Sequence, residues 1–197
     1  MPHTPLTPGQ HVLLVLAHPR GDSLTARLAD HIRDRLAGDS LTVDVLDLHA
    51  EGFDPRMTQA DEPNWGERDK VYSAEVRSHM ERVDAADLIV VVFPVWWFGL
   101  PAILKGWIDR VWNYGFAYGR REPRLRGKRM LWLGLVSYQR EEFAALGWDE
   151  VLVRTLRVGI SEFCGIAEAS VHFVYDSLNV GEDASASADT ALAGLHR

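Results

Sequence analysis

Leu88-Ile-Val-Val-Val-Phe93, followed at once by Pro94-Val-Trp-Trp-Phe-Gly-Leu-Pro101, is the stretch on which the fold reading turns. Six consecutive apolar residues, four of them β-branched, suit a strand covered on both faces. Such strands belong to parallel sheets wound by helices. Working outward, similar short runs read as strands over His11–Ala17, Thr42–Leu46 and Met130–Val136, with a fifth over Ala169–Tyr175. Between them apolar residues recur at i, i+4 steps: Leu24, Leu28, Ile32 and Leu36; Tyr72, Val76 and Met80; Leu100, Leu104 and Ile108; Leu152, Leu156 and Ile160. Strand and helix alternate, which predicts an α/β, doubly wound, five-stranded parallel sheet with helices on both faces.

The chain has 197 residues, enough for one well-filled core. Three prolines among the first eight residues predict a flexible N-terminus over 1–10, and the small polar run from Gly181 predicts a loosely held tail over 181–197. The body is then 11–180. A formal charge of -7 argues against nucleic acid as a partner. One cysteine, Cys164, excludes an internal disulfide, and no apolar run is long enough for membrane insertion. With no secretion signal at the N-terminus, a cytoplasmic protein is expected. The eight histidines show no metal-binding spacing, so no metal site is expected.

In open parallel sheets ligands gather beyond the carboxyl ends of the strands, where the strand order reverses. After the first strand comes His18-Pro-Arg-Gly-Asp-Ser-Leu-Thr25, which includes Arg20. Asp22 or Ser23 can cap the following helix, and the free N–H groups there, with the Ser23 and Thr25 hydroxyls, make a nest for a phosphate. The same residues also describe a capped junction with no ligand. Glycine-rich dinucleotide and triphosphate loops are missing from the chain. After the third strand, Pro94, Val95, Trp96, Trp97 and Phe98 put three aromatics in a loop at that same end, as a wall for a flat ring or as a plug for the core or a subunit contact.

These stretches resemble the NAD(P)H:quinone oxidoreductase family of flavodoxin-like proteins, which is related to the ancillary oxidoreductases of potassium-efflux systems. The resemblance is carried by Val15-Leu-Ala-His-Pro19 with Ser23-Leu-Thr25, by Phe93 through Trp112, and by Phe116-Ala-Tyr-Gly119. It implies a homodimeric enzyme with bound FAD, or FMN as in some members. Such an enzyme takes hydride from NAD(P)H as co-substrate and reduces a quinone or similar electron-poor aromatic. By the same resemblance His18, Ser23, Leu24 and Thr25 hold the flavin phosphates and Pro94 to Phe98 line the isoalloxazine edge. Val136, Ser137 and Tyr138 stand where such proteins have a Thr-Thr-Gly-Gly turn, and Phe143 and Asp149 stand at their Tyr and His positions. Tyr138 and Asp149 are therefore the candidates for assisting charge movement. A flavin-binding regulatory subunit of a transporter is the alternative function.

Two further features stay open at this level. Arg120, Arg121, Arg124, Arg126, Lys128 and Arg129 are either a solvated basic loop or a source of a cation for the extra phosphate of NADPH or a flavin pyrophosphate. The connection over 48–70, with Phe53 and Trp65, is long for an α/β unit and either covers a partner subunit or closes over substrate.

Overall fold

The computed structural model describes residues 7–67, 69–119, 122–179 and 184–196. Five parallel strands, β1 (His11–Leu16), β2 (Thr42–Asp47), β3 (Leu88–Pro94), β4 (Arg129–Leu135) and β5 (Glu168–Val174), form one sheet in the order β2-β1-β3-β4-β5. All of β3 and β4 is buried, whereas β2 and β5 at the two edges are largely half-exposed. That gradient is why β3 reads as an unbroken apolar run while β2 interleaves Asp44 and Asp47 with valine and leucine.

Pro94 was not expected inside a strand, yet it closes β3. Val92 accepts the Ala17 N–H on the β1 side, and Val95 donates to Leu135 on the β4 side. The Pro94 nitrogen therefore faces the end of β1, where the missing N–H terminates the ladder after the Ala17–Val92 bond instead of breaking it in mid-strand.

Helices α1 (Leu24–Gly38) and α6 (Ala184–Ala193) cover one face of the sheet, and α2 (Ala74–Ala85) and α3 (Ala102–Val111) cover the other. Two short helices, α4 (Arg140–Ala145) and α5 (Trp148–Val153), follow β4. The latter runs on through a wider π-helical stretch, Arg154–Ser161, which buries Leu156 against the α2/α3 face. Among the described residues no helix is long and apolar enough to cross a membrane.

Both chain ends carry structure where they are described. Residues 1–6 lie outside the described residues, but Gly9 N–H bonds the Ser40 carbonyl at 2.9 Å and Gln10 N–H bonds Thr7 at 3.2 Å, so 7–10 form a tied turn. From Ala184 the expected loose tail is helix α6, with Ala184, Ala188, Ala191 and Leu192 buried against α1. His31 and Asp189 join the two helices at 2.9 Å. The sequence hides this helix because it buries mainly small side chains and not large apolar ones.

Candidate active site at the carboxyl edge of the sheet

The sheet order reverses between β1 and β3: β1 leads to α1 on one face and β3 leads to α3 on the other, leaving a crevice between the two loops. On the first side Ser23 is the helix cap. Its backbone is extended, at φ -70° and ψ 160°, and its hydroxyl oxygen accepts the Ala26 N–H at 3.1 Å. Leu24 and Thr25 follow, where N–H groups have no acceptor inside the helix. Ser23 and Thr25 are both buried, and the Thr25 hydroxyl has no hydrogen-bond partner among the described residues. His18 Nδ1 accepts the Arg20 N–H at 3.1 Å, and burial lowers the imidazole below its ordinary value, so the ring is neutral at pH 7. The Arg20 side chain is exposed and, among the described residues, pairs only with Asp22, at 3.6 Å.

On the second side Trp96 to Gly99 close a tight turn through two backbone bonds, Trp96 N–H to Gly99 at 3.2 Å and Gly99 N–H to Trp96 at 3.0 Å. Trp97 and Phe98, its two central residues, have φ of 50° and 55°. That left-handed pair is normally glycine or asparagine territory. The N–H groups of Trp97 and Phe98 find no acceptor among the described residues. Trp97 is 97% exposed and Trp96 45%, so neither plugs the core. The Trp96 ring meets His18 edge-on at 5.9 Å, and this contact ties the two loops into one site.

The loop after β4 completes the edge. Val136 is buried, with its N–H on the Val174 carbonyl at 2.8 Å, while Ser137 and Tyr138 are exposed. Phe98 lies 6.0 Å from the Tyr138 ring, 6.4 Å from Phe143 and, nearly parallel at 14°, 4.4 Å from Trp148. Trp148 was absent from the sequence reading. The one local cue is that it directly follows Gly147, which has φ 73° and opens α5.

Of the two residues at the Tyr and His positions, one lies elsewhere and the other packs beside the site without a polar group. Asp149 bonds the Glu150 N–H at 2.8 Å and lines a cavity of about 310 Å3 beside β5 with Arg140, His172 and Tyr175, a lining that includes none of the three loops' residues. Phe143 is fully buried and has no hydroxyl to offer. Of the basic stretch, Arg120 and Arg121 lie outside the described residues. The rest precedes or begins β4, at the opposite end of the strands from the crevice. There Arg124 pairs with Asp84 at 3.0 Å, Arg126 with Glu122 at 3.6 Å and Arg129 with Glu168 at 3.3 Å, while Lys128 bonds the Asp84 and Ala86 carbonyls. Their place at the opposite end of the strands removes these four as ligands for a phosphate at this chain's crevice.

The chain matches the family model described as a flavodoxin-like fold over residues 10–197. It is 41% identical over 169 residues to an uncharacterized NAD(P)H oxidoreductase of Escherichia coli K12, covering 86% of this chain and 85% of that one. Over 125 residues it is 35% identical to human ribosyldihydronicotinamide dehydrogenase [quinone], covering 56% of this chain and 54% of the relative. Among solved structures, the NAD(P)H:quinone oxidoreductase from Methanothermobacter marburgensis superposes with a TM-score of 0.81 at 25% identity, over 96% of this chain and 94% of that one.

Proposed function

Since the chain belongs to the flavodoxin-like fold family, we propose that it is a flavin-dependent NAD(P)H oxidoreductase that passes hydride from NAD(P)H, by way of bound FAD or FMN, to a quinone or similar electron-poor aromatic. The observation that carries the reading is the junction of unlike halves at one crevice. A capped helix start, where the Thr25 hydroxyl has no partner among the described residues, stands beside a turn that exposes Trp96 and Trp97, joined through the His18–Trp96 contact. A phosphate suits the first half and a flat ring the second, so the donor set fits a flavin nucleotide. The 41% identity to an NAD(P)H oxidoreductase supports the reaction class.

In this reading Ser23, Leu24, Thr25 and His18 hold the phosphate, with Arg20 free to swing toward it. Neutral His18 offers its second ring nitrogen without adding charge. Pro94 to Phe98 flank the ring, and the N–H groups of Trp97 and Phe98 are its nearest unused donors. Flavin, when bound, supplies the capacity to accept and return two electrons with a proton. The protein's part is to hold two flat partners against one another and to keep water from between them. Val136 and Ser137 border the site, and Tyr138, whose ring faces Phe98, is the group for handling a proton there; Asp149 is set aside because it faces the β5 cavity. Trp65 and Phe163, 66% and 64% exposed and both against Tyr118, form the surface on which a second copy of the chain would sit.

The test is spectroscopic. The purified protein is expected to be yellow, or to take up FAD or FMN with quenching of flavin fluorescence, to bleach under NADH or NADPH without oxygen, and to recover its colour with a quinone. Chromatography of the released flavin identifies it. A colourless protein that takes up neither flavin overturns the proposal. Bleaching that no acceptor reverses at catalytic rates replaces it with a regulatory flavin protein.

A further inference from the structure

The turn Trp96–Gly99 holds two large aromatic residues in the left-handed region, Trp97 at φ 50° and Phe98 at φ 55°. Side chains with a Cβ are strained there, and a turn of this kind persists only where its surroundings over-determine it. Its two closing hydrogen bonds, at 3.2 and 3.0 Å, lie at an exposed edge where water competes for them. Trp97 contributes little to holding it, being 97% exposed. Phe98 is what anchors the strained pair. Its ring packs on a small apolar cluster of Val136, Phe143 and Leu152, and its most intimate neighbour is Trp148, at 4.4 Å and 14° between planes. Trp148 is fixed in turn by its place at the first turn of α5, directly after the left-handed Gly147.

From this geometry we propose that Trp148 is a positioning residue for the flavin-ring contact. By stacking on Phe98 it selects the left-handed form of the turn, and with it the directions in which the free Trp97 and Phe98 N–H groups point. Trp148 touches the turn and is assigned no contact with the cofactor. The inference rests on the proposed flavin site for its functional half only. Its structural half, control of the turn by Trp148, is testable without any ligand.

The experiment compares the full chain with Trp148→Ala and Trp148→Phe. In flavin-free protein, amide hydrogen exchange of Trp96 and Gly99, the two N–H groups that close the turn, is expected to rise at least about tenfold in Trp148→Ala. Val95, paired to β4, should keep its protection. Trp148→Phe, which retains a ring plane, should restore wild-type exchange. In parallel, the dissociation constant for FAD or FMN by fluorescence quenching should rise about tenfold in Trp148→Ala and recover in Trp148→Phe, with the hydride-transfer rate at saturating flavin changed far less. Should Trp148→Ala not fold, Trp148→Leu, which fills the volume without a ring plane, is expected to show the same local loss. Wild-type exchange at Trp96 and Gly99 in a folded Ala or Leu variant overturns the inference. Increased exchange in a protein that binds no flavin overturns the flavin reading and leaves Trp148 as the element that sets the turn.

Discussion

Ser23 and Thr25 are neighbours on one helical turn, and their hydroxyls are spent differently. The Ser23 oxygen accepts the Ala26 N–H at 3.1 Å, whereas the Thr25 hydroxyl has no partner among the described residues. Ser23→Ala should therefore lower stability by about 1 kcal/mol, the usual worth of such a cap, and weaken flavin binding as well. Thr25→Val should leave the melting temperature unchanged and weaken flavin about tenfold, the loss of one hydrogen bond to a charged group. Thermal melts beside fluorescence titrations separate the two, and a stability loss in Thr25→Val with unaltered affinity would show that hydroxyl to be structural. Cys164 makes a second contrast. Burial pushes its thiol up to about 12, so a maleimide at pH 8 should label it only after denaturation. The cap at Ser23 was legible because a polar residue before a helical period is a local signal. The stacking of Trp148 on Phe98 was not, since nothing local links the loops after β3 and β4 until the sheet sets them side by side.

The connection between β2 and α2 shows the same division for a whole element. Its length marks it as unusual in the sequence, but its pose depends on residues of α3. Phe53 enters the core, Pro55 lies on Gly106, and Asp61, fully buried, meets the Arg110 guanidinium at 2.7 Å. Burial works against the Asp61 charge. Hydrogen bonds from Arg110, Ser73 and Thr58 outweigh it and hold the carboxyl below its ordinary range. Asp61→Asn leaves that guanidinium inside the protein with half-exposed Glu75 as its one charged partner among the described residues, and should cost about 3–5 kcal/mol in urea unfolding. A loss under about 1 kcal/mol would mean that Arg110 relaxes to solvent. Gly106 belongs to the same contact: a Cβ there would stand 2.2 Å from the Pro55 carbonyl oxygen, so Gly106→Ala should displace the connection bodily. The sequence offered two readings of this segment, a cover for a partner or a closing flap. Its clamp to α3 makes it a fixed wall that presents Trp65 outward, 5.0 Å from Tyr114.

For the whole molecule, the alternation of strand and helix and a parallel sheet covered on both faces followed from apolar periodicity, because burial on two faces leaves a clear pattern in β1, β3 and β4; the strand order and the face taken by each helix did not. What escaped was burial achieved by small residues: Ala184, Ala188 and Ala191 recur at helical spacing and let α6 approach α1 closely. A property of the assembled fold that no segment carries alone is its response to acid. Burial lowers the imidazoles of His18, His79 and His172, and His79 is further committed because its Nδ1 accepts the Trp107 indole N–H at 3.1 Å. A base depressed in the folded state takes up its proton more readily in the unfolded chain. The stability contributed by these rings is therefore intact above the ordinary value of 6.5 and fades as pH falls from there through their folded values. Asp54 and Asp61 are held below 3.8 and lose their contribution only at lower pH, so the range from 6.5 down to about 5 reports the histidines. Unfolding free energy should fall across that range. In His172→Phe, which removes one proton uptake and leaves the Trp107 bond untouched, the slope should be shallower. Equal slopes in the two proteins would mean that His172 is as accessible to protons in the folded chain as in the unfolded one.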